Sequence, residues 1–133
     1  MTSKVTYLGD LRTSSIHTQS GSEILSDAPV DNNGKGEAFS PTDSVANALA
    51  TCMMTIMGIK ARDLNVDFQG STAAVTKIMN AEPRRIGAIE IVFEMVGVLE
   101  QKDKMILERA AMTCPVFLSL NTDIEKRITF NWK

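Results

Sequence analysis

The sequence predicts an α+β fold in a single domain spanning residues 1–133. Three observations carry that prediction. Segments of alternating polarity open and close the chain, one long helix signal interrupts them, and a second amphipathic helix signal precedes the last strand.

From Lys4 to Thr13 the chain alternates loosely, with Val5, Tyr7, Gly9 and Leu11 set against Thr6, Leu8, Asp10 and Arg12. That reads as one strand. Ser14 to Gln19 either continues it or forms a second. Ser20-Gly21 is turn chemistry, so Ser22 to Ser26 is expected to return as a hairpin partner. Asp27 to Phe39 reads as loop, densely punctuated by Pro29, Asn32, Asn33, Gly34 and Gly36. A loop of that length leading into a helix is either part of a site or a plain connector.

Ser40 to Asn65 carries the central helix. Ser40 is placed to cap the free N–H groups, and Pro41 suits the first helical position, where its missing N–H costs nothing. Asp43, three residues after Ser40, completes a capping box and puts negative charge at the positive end of the helix dipole. Val45, Ala48, Leu49, Cys52, Ile56 and Ile59 form an apolar stripe, flanked by Ala46, Ala50, Met53 and Met57. Only Ser44, Asn47, Thr51 and Thr55 make a thin polar strip. A helix apolar over most of its circumference belongs inside a protein.

Gly70 to Met79 alternates as a strand, and Asn80 to Arg85 turns the chain. Ile86 to Val98 is the strongest strand signal: Ile89, Ile91, Phe93 and Met95 alternate with Glu90, Val92, Glu94 and Val96. Its partly charged face fits a half-exposed antiparallel strand. Glu100 to Thr113 reads as a helix with Leu107, Ala110, Ala111 and Cys114 on one face and Lys102, Asp103, Lys104, Glu108 and Arg109 on the other. Cys114-Pro115 breaks it and starts a short helix to Leu120. Ile124 to Trp132 closes the chain as a strand with Lys126, Ile128, Phe130 and Trp132 on one face.

The chain has 133 residues, enough for one domain that buries about 65–70% of its unfolded surface. Hydrophobic content of 44% and charged content of 23% are those of an ordinary soluble globular protein. A net charge of −2 gives no electrostatic case for nucleic acid or for an anionic membrane. The N-terminus MTSKVTYLGDLR lacks an apolar stretch of signal-peptide length, so a cytoplasmic location is expected. The central helix is broken by polar residues and is not expected to span a membrane.

Two cysteines in such a chain read as reduced, metal-bound or catalytic rather than as a secretory staple. A closed zinc site takes four ligands, and Cys and His supply only Cys52, Cys114 and His17, so no metal is expected. Each cysteine also reads as a packing residue, because free cysteine is among the most buried residue types. Cys114 has more to it: Pro115 makes it the N-cap of a helix, a position that favours the thiolate. Both helices carry a cysteine on an apolar face, so packing face to face would bring the sulfurs together.

The motif S-P-T-D-x-V-x-x-A-L-A-x-C ending at Cys52, followed later by L-E-R-A-A-x-x-C-P-V around Cys114, resembles the OsmC/Ohr family of peroxide-reducing proteins. The resemblance covers nearly the whole chain: the early L-R, the S-G and D-A-P turns, both cysteine helices and the final I-T-F-N-W. It implies an α+β fold in which two chains interlock as a homodimer. Each chain gives its two long helices to a core wrapped by antiparallel sheets, with two equivalent sites at the interface. It also implies that Cys52 is peroxidatic and Cys114 resolving.

The resemblance further assigns a role to Arg12, by its spacing to Gly21 and Cys52: holding Cys52 as thiolate and polarising the peroxide. In the family a glutamate directly after the helix-opening proline orients that arginine. This chain departs there, with Thr42 at that position and the nearest carboxylate, Asp43, one residue on. One helical residue swings a side chain through about 100°, so Asp43 is a weak substitute. The implied activity is thiol-dependent reduction of organic hydroperoxides, with no prosthetic group and an external dithiol as reductant. The alternative is a dimer of the same fold without peroxidase activity, acting as a redox sensor, a thiol-disulfide regulator or an apolar-ligand binder. Thr42 favours that alternative.

Overall fold

Two three-stranded sheets and three α-helices make up the chain, all of whose residues, 1–133, are described in the computed structural model. They fall into two units, Met1–Val45 and Ala46–Lys133, each holding one sheet.

The first unit is an antiparallel meander of β1 (Ser3–Gly9), β2 (Arg12–His17) and β3 (Glu23–Asp27). The single strand expected over Lys4 to Thr13 is therefore two. The chain reverses at Asp10-Leu11, whose φ angles of 51° and 62° are those of a two-residue hairpin turn. A register shift between Tyr7 and Gly9 then sets odd-numbered residues opposite odd-numbered ones, Tyr7 against Thr13 and Val5 against Ser15, so the alternation reads straight through the turn. The reversal makes Arg12 the first residue of β2, paired across the sheet with Asp27.

Beyond β3 the loop is tied back by main-chain bonds. The Ala28 N–H donates to the Leu11 carbonyl at 3.1 Å and the Asp27 N–H to the Phe39 carbonyl at 3.2 Å. A 3-10 turn, Val30–Asn32, lies inside it. The loop ends at Ser40, where α1 (Pro41–Leu64) begins. Ser40 Oγ accepts the Asp43 N–H at 3.0 Å, and Asp43 Oδ2 accepts the Ser40 N–H at 3.0 Å. Two donors that no helix carbonyl can reach are satisfied reciprocally.

The second unit packs the body of α1 with α2 (Gln101–Ala111), α3 (Pro115–Ser119) and the sheet of β4 (Thr72–Asn80), β5 (Arg85–Met95) and β6 (Glu125–Trp132). The sheet order is β4-β5-β6. Ile89, Ile91, Phe93 and Met95 of β5 are all fully buried, as their alternation predicts. The β4–β5 pair is antiparallel, but β6 pairs with β5 in parallel, so this sheet is mixed rather than wholly antiparallel. The chain reaches β6 through α2 and α3, and a helical crossover of that kind returns a strand in the same direction.

The face of α1 that is buried holds Ala46, Leu49, Ala50, Met53, Met57 and Ala61. It shares only Leu49 with the expected stripe; Val45 and Ile59 of that stripe are exposed. A helix apolar nearly all round offers several faces of similar hydrophobicity, and packing against β5 selects the methionine side. By length and composition α1 could cross a membrane, yet its Leu49, Met53 and Met57 lie in the core with β5 and α2. Its polar strip is satisfied locally, with Thr51 Oγ1 donating to the Ala48 carbonyl and Thr55 Oγ1 to the Thr51 carbonyl.

Two further contacts fix β6, one to β5 and one to α2. Phe130 of β6 stacks on Phe93 of β5 with ring centroids 4.9 Å apart. The Trp132 indole N–H donates to Glu108 Oε1 of α2 at 2.8 Å, and Lys104 lies over the same ring. The last strand thus pins the helix that ends beside Cys114.

The reciprocal cap assigns Asp43 a structural task. Ser40→Ala is expected to cost about 1 kcal/mol of stability, and Asp43→Asn to lower the melting temperature while leaving the alkylation rate of Cys52 unchanged. Thermal melts and iodoacetamide kinetics on both variants measure this. A slowed Cys52 without a change in melting would give Asp43 a chemical role instead.

Candidate active site

Cys114 is set by the end of α2. The Thr113 and Cys114 N–H groups bond the Ala110 and Ala111 carbonyls, and Thr113 Oγ1 also donates to Ala110. Pro115 then forces the residue before it out of the helical region, and Cys114 adopts φ −64°, ψ 142°. In that conformation it caps α3, its Sγ accepting the Phe117 N–H at 3.3 Å. The side chain is completely buried among the core residues of α1, β5 and α2.

Cys52 lies one residue before Met53 on α1, at the rim of the buried face, and is half-buried. It lies near Cys114, whose thiol feels its presence, and both cysteines are free. The structure therefore brings the two cysteines together. A helix N-terminus was expected to favour the Cys114 thiolate, but the opposite holds. Burial pushes the Cys114 thiol up from its ordinary value and the neighbouring Cys52 adds to the rise. The Phe117 and Val116 N–H groups pull the other way and are outweighed. A single-turn helix supplies few aligned dipoles, while full burial removes the solvent that a thiolate needs.

A groove of about 440 Å³ opens between α1 and α2, and neither cysteine lines it. Ile56, Ile59, Ile106 and Ala110 line it, with Lys60, Arg109 and Thr113 around them. Ile56 lies one helical turn beyond Cys52, and Thr113 directly precedes Cys114.

Arg12, in the first unit, is held by carboxylates that local reading missed. Its Nε donates to Asp27 Oδ1 at 2.7 Å and its Nη2 to Asp27 Oδ2 at 2.9 Å. Nη2 also reaches Glu37 Oε2 at 2.9 Å. The hydrogen bond to Asp27, followed by its charge, raises Arg12 further above its already high ordinary value. In return Arg12 holds the Asp27 carboxyl below the usual carboxylate range. Asp43, the carboxylate nearest the family's glutamate position, instead closes the cap with Ser40. The strand register was the available signal: in a meander with the observed turns, Arg12 and Asp27 fall opposite one another.

The sequence pattern of the OsmC-like protein family matches residues 34–129. Among solved structures, a protein of Psychrobacter arcticus 273-4 described as an osmotic stress induced and detoxification response protein is 54% identical to this chain. The match covers 98% of this chain and 96% of that one, with a TM-score of 0.95. The organic hydroperoxide resistance protein OsmC of Legionella pneumophila shares the fold at 15% identity and TM-score 0.72, covering 98% and 97% of the two chains. So does a protein of Vibrio cholerae described as an organic hydroperoxide resistance protein, which carries captopril in one of its active sites. It is 19% identical, with a TM-score of 0.69 over 98% of this chain and 92% of that one. No curated protein matches. With the family pattern running through both cysteines and a fold shared along its whole length, this chain belongs to the OsmC-like protein family.

Proposed function

We propose that this protein reduces organic hydroperoxides with a pair of thiols, Cys52 as the peroxidatic and Cys114 as the resolving cysteine. The observation that carries this reading is the nearness of two free thiols, one on α1 and one at the cap of α3. Their unequal burial supports the division of roles. Cys52 is half-buried and within reach of a peroxide, whereas Cys114 has no exposed surface.

The Cys52 thiolate attacks one oxygen of the peroxide. An S–O bond forms, the O–O bond breaks, and the departing alkoxide takes a proton to leave as alcohol. Cys52 is now a sulfenic acid, oxidised by two electrons. Cys114 attacks that sulfur; the S–S bond forms, the S–O bond breaks, and the hydroxyl leaves with the Cys114 proton as water. An external dithiol then returns two electrons and two protons by thiol-disulfide exchange, in the reducing cytoplasm. Because burial keeps Cys114 protonated, the two adjacent sulfurs do not both carry charge, and the proton needed for water is already in place.

The apolar groove between α1 and α2, one helical turn from Cys52 at Ile56, suits a peroxide with a hydrocarbon body. Arg12 supplies the cation that steadies the thiolate and the departing oxygen, the role its family resemblance gives it. No resident cofactor is called for, since both electrons come from the dithiol. The same groove also favours a second reading, an apolar-ligand binder whose cysteines sense redox state without turning over peroxide.

The working unit is proposed to be a homodimer. Val5, Tyr7, Leu8, Ile16, Ile24 and Leu25 are exposed on β1 to β3. That much apolar side chain on one small sheet marks an interaction surface, and a second copy of the chain would cover it.

One equivalent of cumene hydroperoxide is expected to lower the intact mass by two hydrogens, leaving Cys52 joined to Cys114. Cys114→Ser keeps a good N-cap and should still consume peroxide once, accumulating Cys52 sulfenic acid instead of a disulfide. A stable sulfinic acid on Cys52 with Cys114 still free in the unmodified protein would sink the pairing. Sedimentation at micromolar concentration is expected to give a dimer; a folded monomer there would refute the assembly.

A further inference from the structure

The groove between α1 and α2 is apolar along its walls and unbalanced in charge. Ile56, Ile59, Ile106 and Ala110 supply the hydrocarbon, and each helix adds one cation, Lys60 from α1 and Arg109 from α2. No carboxylate lines it. Its volume of about 440 Å³ falls within the range of small-molecule sites, about 300–1,000 Å³. All of its lining belongs to the second unit.

The fold does not use these two cations as partners. Neither makes an ion pair or a side-chain hydrogen bond. The residues three and four positions from Arg109 are Met105, Ile106, Met112 and Thr113, so α2 offers it no carboxylate. Asp63 and Asp103 stand three residues from Lys60 and Ile106, but both lie outside the lining and neither pairs with a groove cation. The helix dipole favours a cation in the last turn, which accounts for Arg109. It does not account for Lys60, because Arg62 already fills that place in α1. Lys60 is half-buried, as a lysine is when its stem lies on apolar surface and its ammonium stays in water.

Such a groove calls for a ligand that is apolar along its body and negative at one end. Arg109 offers a planar fork that matches a carboxylate through two parallel bonds, and Lys60 adds a point charge. We propose that the groove binds a single-chain carboxylate, a fatty acid, with its tail on the isoleucines and its head held by Lys60 and Arg109. This deepens the apolar-ligand reading and rests on the groove alone, since the ligand needs no reacting group.

The test is calorimetric titration of the reduced full-length protein with laurate, dodecanol and dodecyltrimethylammonium, which share one tail and differ in the charge of the head. Laurate is expected to saturate at one molecule per chain. Dodecanol should bind about fivefold more weakly or worse, and the ammonium compound more weakly still. Lys60→Met and Arg109→Met keep an apolar stem. Each should weaken laurate about two- to fivefold, the range of an exposed ion pair, and leave dodecanol unchanged. Lys102→Met removes an α2 cation outside the groove and should leave laurate affinity as it was. Laurate that does not saturate, dodecanol that binds as tightly, or a loss in Lys102→Met equal to that in the groove variants overturns the proposal. So does a parent protein that binds no laurate while the double variant, Lys60→Met with Arg109→Met, sediments as a monomer; that result assigns the groove to a second copy of the chain. Oxidation by cumene hydroperoxide, an uncharged peroxide, reports on the thiol pair separately, so failure of the laurate site leaves that reading standing.

Discussion

The packing of α1 and α2 on one strand is the constraint from which the thiol pair follows. Leu49, Met53 and Met57 of α1, Leu107 and Ala111 of α2, and Ile89, Ile91, Phe93 and Met95 of β5 have all but vanished from the surface. Once Met53 is committed to that core, the geometry of a helix puts Cys52 at its rim. Cys114 is likewise committed, because it continues the buried face of α2. Had α1 settled with its face turned by one residue, about 100°, Cys52 would lie either wholly inside or wholly in solvent. Neither setting combines partial exposure with nearness to Cys114. The nearness of the two sulfurs is thus a consequence of core packing.

The unequal environments of the two sulfurs have the same origin. A thiol deep in the core loses the solvation its anion needs, so Cys114 is biased towards the protonated form even though main-chain N–H groups point at it. Arg12 shows the opposite economy. It sits in the first unit, charged under all conditions, and its bonds to Asp27 and Glu37 fix where that charge lies rather than whether it exists.

Much of this was legible in the sequence where a signal is local. The start of α1 could be read from Ser40, Pro41 and Asp43, the buried face of β5 from its alternation, and the break at Cys114 from Pro115. What could not be read depended on partners distant in the chain. The rotational setting of α1 was hidden because its apolar residues surround it. The parallel placement of β6 has no signature in its own residues; it follows from the crossover through α2 and α3. The Asp10-Leu11 reversal was masked because the register shift between Tyr7 and Gly9 lets the alternation continue across the turn. The sign of the Cys114 shift went against local reading, since burial is a property of the whole fold. Arg12 found its carboxylates at Asp27 and Glu37 rather than near Pro41, because strand register and loop path, not helix spacing, bring them there.

The bond from the Trp132 indole to Glu108 has a practical meaning as well as a structural one. The chain contains a single tryptophan, and it sits on the last strand with its N–H held by the helix that leads to Cys114. Indole emission responds to the polarity and hydrogen bonding around the ring. Any movement of α2 away from β6 would break that bond, lift the Lys104 ammonium from the ring face, and change the emission without an added label. The protein carries its own optical gauge of how α2, the helix that leads to Cys114, is seated.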